Sequence, residues 1–403
     1  MRVLAGVLGF VLVACISRGG PRDKTDAGSR ADAALTVSEL DTLDGGALFG
    51  KLCAVCHGED GTGYRADNAV SLVNKTYLES ATDDQIRRSI VHGRPGTAMA
   101  GYGKEVGGPL DALAVAKLSR WIRSHGSVLP LPLPPVPNGD PKRGQSLYAA
   151  HCEKCHGTET ARGTAVHLMN PKFLEASPDP FLKWALVHGR PGTPMEAWEN
   201  KLKDTELNDL VSYLRSFDKT PRVVLLDPPT GKEPIVLNPR GKDPTFKLRA
   251  DPCGPDPKCK PDERYVSVDQ VNQALSEKRR MVIIDARSPS DWMRVHIPGA
   301  LSIPHYETKR LAEIPNDGTW VIAYCACPHH LSGDVVNELR KRGYKHAVIL
   351  DEGILEWHRR LYPVTTAPGV EPPPRAPFSS PVDAGAPSDA GNARDASTKR
   401  GTP

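Results

Sequence analysis

The chain has 403 residues, of which 39% are hydrophobic and 6% aromatic, with 38 prolines bunched in a few places. That composition excludes one large hydrophobic core and favours two to four small modules on proline-rich connectors. A formal net charge of +4 is too slight for a nucleic-acid partner or a polybasic membrane patch, so no nucleic acid is expected.

At the N-terminus an apolar run from Val3 to Val13 leads into Leu12-Val13-Ala14-Cys15. Eleven residues are too few to cross a bilayer, so residues 1–14 read as an export signal peptide rather than a membrane helix. The Leu-Val-Ala-Cys ending resembles a bacterial lipobox, which implies that Cys15 becomes the lipidated first residue. Ordinary cleavage, with Cys15 removed or spare, is the plainer alternative. Several acyl chains on one residue would anchor the protein stably to a membrane, facing the periplasm or the cell surface. Residues 15–40 then form a flexible polar tether. Export also places the remaining cysteines in an oxidising compartment.

A repeat follows. Cys53-Ala54-Val55-Cys56-His57 returns as Cys152-Glu153-Lys154-Cys155-His156 at an offset of 99 residues. Val70 to Met99 aligns with Val166 to Met195 at an offset of 96, with Asn74 meeting Asn170, Tyr77 meeting Phe173 and Ile86 meeting Leu182. Each block ends in nearly the same loop, HGRPGTAM or HGRPGTPM. A period this long means two duplicated domains rather than a solenoid.

C-x-x-C-H is the spacing of a c-type haem attachment site. Two thiols, Cys53 with Cys56 and Cys152 with Cys155, add to the two vinyl groups of one haem, and His57 or His156 ligates its iron. A thioredoxin-like motif is disfavoured by the trailing histidine, the two copies and the export signal. Zinc would need more Cys or His at close spacing than either copy has. A haem iron with His on one face takes a second ligand on the other, and Met there raises the potential. Met99 lies 42 residues after His57, and Met195 lies 39 after His156. Each sits in a Gly-Arg-Pro-Gly loop, where Pro stiffens φ and the glycines permit close turns. His92 and His188, which open the loops, could ligate instead, whereas Met169, whose repeat partner is Val73, reads as core. Arg94 and Arg190 either meet haem carboxylates or are solvated loop cations.

Thr82 with Gln85 reads as a capping box, and Asp140-Pro141 and Asp179-Pro180 as caps before a first-turn proline. Leu207, Leu210, Val211 and Leu214 recur at helical spacing, as do Leu118, Trp121 and Ile122. On these residues both halves resemble all-α class I cytochrome c domains, over 41–127 and 140–219, with a Pro-rich linker at 128–139. The resemblance implies two covalently bound haem c groups and electron transfer to a soluble or membrane redox partner, a cytochrome or an oxidase. A catalytic dihaem peroxidase needs an open iron site, and two intact Met loops argue against it.

Residues 220–263 form a second Pro-rich linker, in which Cys253 and Cys259 flank a turn-forming Gly-Pro-Asp-Pro. A disulfide is expected there, with metal binding or free thiols as alternatives. Beyond it the pattern alternates. Ser267 with Gln270 caps a helix, strands run over 281–286, 320–325 and 346–350, and helices over 332–344 and 351–362. Such alternation implies a parallel α/β sheet with its site at the strand C-terminal ends. Cys325 occupies that place just before a helix N-terminus, where loop N–H groups and the helix dipole favour a thiolate.

With IIDARSPSDWMRVHIPGALSIP and VILDEGILEW, this module resembles a rhodanese-like domain over 264–364. The resemblance implies that Cys325 takes sulfur from a sulfane-sulfur donor and carries it as a persulfide. Rhodanese loops often place an arginine beside that cysteine, whereas this one reads Cys325-Ala326-Cys327-Pro328-His329-His330, without the fork-shaped donor suited to thiosulfate. Cys327 is a candidate accessory thiol that could attack a Cys325 persulfide or pair with it. Cys325, Cys327 and a histidine could also bind a metal, or the fold could be an inactive docking surface. Residues 365–403, rich in Pro, Ala, Ser and Asp, read as a disordered tail.

The expected whole is multidomain, with two all-α cytochrome c domains followed by one α/β rhodanese-like domain. Its expected activity is electron transfer coupled to sulfur chemistry at Cys325. The competing expectation is a plain electron carrier whose rhodanese fold is a non-catalytic partner-binding module.

Overall fold

The computed structural model describes residues 37–64, 69–219, 224–251, 261–326 and 329–374. The segment read as a signal peptide, Cys15, nearly all of the expected tether, Cys253 and Cys259 with their expected disulfide, Cys327 and all but the start of the expected tail lie outside the described residues.

After a turn of helix α1 (Val37–Leu40), the first repeat copy contains α2 (Gly45–Leu52), α3 (Ala54–His57), α4 (Lys75–Ser80), α5 (Asp83–His92) and α6 (Ala112–Gly126). The second contains α7 (Pro141–His151), α8 (Glu153–His156), α9 (Pro171–Ala176), α10 (Asp179–His188) and α11 (Asp204–Arg215). In each copy the helix leading into C-x-x-C-H packs on the closing helix, α2 on α6 and α7 on α11. Repeat-equivalent glycines make the crossing possible. A Cβ on Gly45 would come within 2.4 Å of the Lys117 carbonyl oxygen, and one on Gly144 within 2.1 Å of the Asp209 carbonyl oxygen. Leu118 and Ile122 line the first core, Leu207, Leu210, Val211 and Leu214 the second, and Met169 is buried with them.

Two expected caps differ in detail. Thr82 Oγ1 accepts from Gln85 N at 3.1 Å, but the Gln85 amide reaches across to Ser177 Oγ of the second copy at 3.4 Å, so the box is not reciprocal. Asp179 lies inside α10 rather than capping it, because its carboxylate pairs with the Arg215 guanidinium.

The two copies pack reciprocally. Helix α4 lies against α10, and α9, the equivalent of α4, lies against α5, the equivalent of α10. Such mutual contacts are those of an approximate two-fold axis within one chain.

The third module holds a six-stranded sheet in the order β1-β2-β7-β6-β3-β5. Its strands are β1 (Arg249–Asp251), β2 (Asp262–Val266), β3 (Val282–Asp285), β5 (Leu301–Ser302), β6 (Val321–Tyr324) and β7 (Ala347–Leu350). A separate antiparallel pair joins β4 (Val295–His296) to β8 (Thr365–Thr366). Helices α12 (Val268–Ser276), α13 (Pro289–Trp292), α14 (His330–Lys341) and α15 (Gly353–Arg359) connect or flank the strands. All pairings in the larger sheet are parallel except β1 with β2. The strands β3, β6 and β7 are fully buried, as expected of a parallel sheet covered on both faces. The segment read as the second linker lies partly on this module: β1 adds an edge strand, and Leu237 N donates to Met281 O at 2.8 Å.

Candidate functional site

Each C-x-x-C-H is a single helical turn. Cys53 stands at the joint of α2 and α3, and its carbonyl accepts from Cys56 N at 3.1 Å and His57 N at 2.9 Å. Cys152, at the joint of α7 and α8, accepts from Cys155 N and His156 N at the same two distances. Burial, then the neighbouring Cys56, pushes the Cys53 thiol up to about 12, and burial with Cys155 pushes Cys152 up to about 11. Both thiols are therefore neutral in the bare protein.

The two histidines are held alike. His57 Nδ1 bonds the Val70 carbonyl at 2.8 Å, and His156 Nδ1 bonds the Val166 carbonyl at 2.7 Å. A carbonyl only accepts, so Nδ1 carries the proton and Nε2 keeps its lone pair. Burial lowers the pKa of both rings, which keeps them neutral. The acceptors are repeat-equivalent valines, so the three residues missing from the second copy fall between the histidine and its support.

The methionine loops are also superimposable in their bonding. Arg94 N donates to Met99 O and Arg190 N to Met195 O, both at 2.7 Å. Thr97 Oγ1 receives the Met99 N–H and Thr193 Oγ1 the Met195 N–H, both at 3.1 Å. Gly93 and Gly189 turn at φ of 59° and 61°. A Cβ on Gly93 would lie 2.4 Å from the Ala100 carbonyl carbon, and one on Gly189 would lie 2.6 Å from Met195 O. The glycines thus let the chain close tightly on the methionine backbone. His92 lies within electrostatic reach of Lys172 and Glu175 of the second copy, and the His188 ring lies tilted by 53° against Trp184 with ring centroids 4.0 Å apart.

The residues fit haem c. Each turn offers two thiols and one imidazole lone pair, and each methionine loop carries a half-buried cation. Arg94 bonds Gly93 O and Ser89 Oγ, both at 2.8 Å, while Arg190 bonds Gly189 O at 3.2 Å and Thr76 Oγ1 at 3.3 Å. Burial pulls the pKa of each guanidinium down to about 10, and among the described residues neither has a carboxylate partner. Cations withdrawn this far from water are ordinarily paired, and the carboxylates of a haem would supply that missing charge.

In the α/β module Cys325 follows β6 directly, at the C-terminal edge of the sheet, and is 1% exposed. Its Sγ lies 3.4 Å from Ser332 Oγ in the first turn of α14. Ile354 N donates to the Cys325 carbonyl at 2.9 Å. Of the two loop histidines, His329 is held by residues of other elements. Its ring stacks on Tyr265, and Nε2 bonds Asp351 Oδ1 at 2.7 Å. Asp351 also takes two hydrogen bonds from Arg249; burial works against its charge, but these partners hold its carboxyl down to about 2. No cluster of three metal-ligating side chains occurs among the described residues.

Sequence reasoning missed two features here. Asp285 takes two bonds from the Arg287 guanidinium, at 2.9 and 2.6 Å, one from the Arg287 backbone N–H at 3.0 Å, and one from the Tyr324 hydroxyl at 2.8 Å, which braces β3 against β6 beside Cys325. The acid-to-arginine step of Asp285-Ala286-Arg287 was the available signal. The second feature is a contact between modules. Helix α14, which follows the Cys325 loop, rests on α3, the first C-x-x-C-H turn. Val55 of that turn packs against the sheet's core, and Tyr306 of the α/β module packs within the first copy's core. Ser288 Oγ donates to Gly101 O at 3.2 Å, as does the Ser290 hydroxyl.

Two helical domains, each with a C-x-x-C-H turn and a methionine loop, joined to an α/β domain with a cysteine at a strand end, define a class: cytochrome c domains beside a rhodanese-like domain. Residues 41–118 and 139–214 match the family described as cytochrome C oxidase, cbb3-type, subunit III, and residues 267–360 match the rhodanese-like domain. The chain thus carries two cytochrome c domains similar to cbb3-type subunit III, followed by a C-terminal rhodanese-like domain.

The first part is 28% identical over 185 residues to the cbb3-type cytochrome c oxidase subunit FixP of Bradyrhizobium sp. (strain ORS 278), which spans 43% of this chain and 60% of the relative. The chain therefore covers less than two thirds of that relative's length. The last part is 29% identical over 105 residues to a sulfurtransferase of Allochromatium vinosum, across 26% of this chain and 96% of the relative. Among solved structures, the reducing HAO-like protein complex of Kuenenia stuttgartiensis is 21% identical, covering 44% of this chain and 97% of that one, with a TM-score of 0.31.

Proposed function

We propose that this chain is an exported, lipid-anchored dihaem c-type cytochrome whose electron transfer serves sulfur chemistry at Cys325. Cys53, Cys56, His57 and Met99 hold one haem c, and Cys152, Cys155, His156 and Met195 hold the other. Bound in this way, haem c supplies one-electron redox chemistry at its iron. The protein's own groups attach and orient it: Val70 and Val166 fix the histidine tautomers, and Arg94 and Arg190 supply positive charge for its carboxylates.

At Cys325 the thiolate attacks the outer sulfur of a sulfane donor. Its lone pair forms the new S–S bond while the donor's S–S bond breaks, giving a cysteine persulfide and the donor's thiolate with no net oxidation. Oxidation of the persulfide's outer sulfur to sulfite, which consumes three waters, frees the Cys325 thiolate and releases six protons and four electrons, would be the step that passes electrons, one at a time, to the ferric haems. Ser332 Oγ lies within hydrogen-bonding distance of that sulfur. Cys327 is the accessory thiol for a second transfer, and a disulfide between Cys253 and Cys259 secures the connector.

The observation that carries the coupling is the seat of the rhodanese-like module on the first haem-attachment turn, α14 against α3, reinforced by Ser290 on Gly101. Docking of one module on another keeps their reactive groups at a fixed, high effective concentration. The expected setting is the bacterial envelope, at the periplasmic face or cell surface, with Cys15 lipidated and a cytochrome or oxidase as redox partner. The lipid anchor is proposed from Leu12-Val13-Ala14-Cys15; among the described residues no helix is long and apolar enough to cross a membrane.

One observation favours a second reading. Cys325 is 1% exposed, which suits a non-catalytic partner-binding module as well as a guarded nucleophile. A pyridine haemochrome assay on protein matured in the periplasm tests the cytochrome reading; two haems per chain is the expected count, and any other number ends it. Intact-mass detection of one added sulfur after treatment with a polysulfide, absent from Cys325→Ser, separates the two rhodanese readings.

A further inference from the structure

The repeat aligns Asn74 with Asn170, and the structure gives this asparagine two tasks at once. Its side-chain oxygen caps its own helix. Asn74 Oδ1 accepts from Tyr77 N at 3.3 Å at the start of α4, and Asn170 Oδ1 accepts from Lys172 N and Phe173 N, both at 3.1 Å, at the start of α9. Its side-chain nitrogen crosses to the other domain. Asn74 Nδ2 donates to the Pro191 carbonyl at 3.0 Å, and Asn170 Nδ2 donates to the Pro95 carbonyl at 2.8 Å. Pro95 and Pro191 are themselves repeat equivalents, each four residues before its methionine. The orientation of the amide is fixed from both ends, because the cap requires an acceptor and the carbonyl a donor.

We infer that Asn74 and Asn170 are crossed positioning residues: Asn74 of the first domain holds the Met195 loop of the second, and Asn170 of the second holds the Met99 loop of the first. This rests on the reading of Met99 and Met195 as axial ligands. The bonding inside the loop leaves the proline carbonyl to its cross-domain donor. Arg94 O is taken by Thr97, Met99 O by the Arg94 amide, and Gly93 O by the Arg94 guanidinium. Neighbours support the same brace. Thr76 Oγ1 donates to Gly189 O at 2.8 Å, and the Arg162 guanidinium reaches Gly96 O at 3.4 Å. Lys172 stands where Thr76 would be repeated, so the Met99 loop lacks the short hydroxyl bond and depends more on Asn170. The amide of Asn170 is also the more buried of the two, with the whole residue 6% exposed. A methionine ligand can leave its metal only when its loop opens, and opening either loop breaks a bond to the other domain.

The test uses full-length holoprotein in which one methionine has been replaced, so that a single sulfur-to-iron charge-transfer band remains. In Met99→His the band reports on Met195, and in Met195→His it reports on Met99. Asn→Asp keeps the cap but removes the N–H donor, and Asn→Ser does the same with a neutral side chain should the aspartate prevent folding. Imidazole, added to the ferric protein, competes with methionine each time a loop opens. Loss of one hydrogen bond makes imidazole bind about fivefold tighter.

The expected pattern is crossed. Asn74→Asp tightens imidazole binding in Met99→His and leaves Met195→His within twofold, and Asn170→Asp does the reverse with the larger effect. An effect confined to the asparagine's own domain, or no effect in either background, overturns the inference while leaving the ligand reading intact. Absence of the band from both single-methionine parents overturns the ligand reading and the inference with it.

Discussion

The hydroxyl of Ser290 donates to the carbonyl of Gly101, two residues past Met99, and so ties the rhodanese-like module to the end of the first methionine loop. Ser288 serves the same carbonyl at 3.2 Å. Both serines are buried, so neither bond is replaced readily by water.

Replacing both, as Ser288→Ala with Ser290→Ala, removes two donors from one buried carbonyl. The expected cost is about 1–3 kcal/mol. Differential scanning calorimetry of the holoprotein checks it: the first cytochrome domain and the rhodanese-like module should melt apart in the double variant. A thermogram unchanged from wild type would show that the contact does not join them.

Gly93 and Gly189 are irreplaceable for a reason that ordinary loop glycines lack. Each combines positive φ with a carbonyl group where a Cβ would sit. Gly93→Ala should cost at least about 2 kcal/mol through backbone strain and weaken methionine ligation in the first domain alone. Gly189→Ala should do the same in the second. By contrast, Gly192 has open space around its Cβ position, so Gly192→Ala meets only the penalty of its φ. Denaturant midpoints, followed by the sulfur-to-iron band, rank the three.

His305 of the rhodanese-like module is buried, and burial, aided by Lys51 of the first domain, pulls its pKa from 6.5 down to about 4. Because the folded value is depressed, the unfolded chain takes up the proton first. Stability is therefore flat above pH 6.5 and falls as the pH drops toward 4, by up to about 3 kcal/mol. His305→Gln should flatten this acid limb. Urea titrations at pH 7 and near pH 4.5 decide the matter, and equal acid sensitivity in wild type and variant would exclude His305 as its source.

Much of this architecture was legible because its signals are local. C-x-x-C-H fixes a helical turn by spacing alone, the HGRPGT repeat announces its loop twice, and the runs ending at Asp285, Cys325 and Leu350 have the length and composition of buried strands. What was not legible lies between modules. The pairing of Ser290 with Gly101 joins residues far apart in sequence and leaves no periodic trace. Asn74 and Asn170 were visible as aligned letters, yet a helix cap accounts for only half of an asparagine's hydrogen-bonding capacity, and the other half shows only in three dimensions. Asp179 reads as a cap until Arg215, on another helix, claims its carboxylate. His329 follows the same logic, since its partners Tyr265 and Asp351 come from separate strands' ends.

The most direct measurement is optical. Fully oxidised, anaerobic holoprotein is mixed with a panel of sulfane donors and persulfides, and the haem α-band is followed beside Cys325→Ala. The account predicts reduction in wild type and its loss in Cys325→Ala, with haem content and the sulfur-to-iron band unchanged between them. Equal behaviour of the two proteins would contradict it, leaving the haems to serve other partners and the rhodanese-like module as a separate transferase or a docking surface.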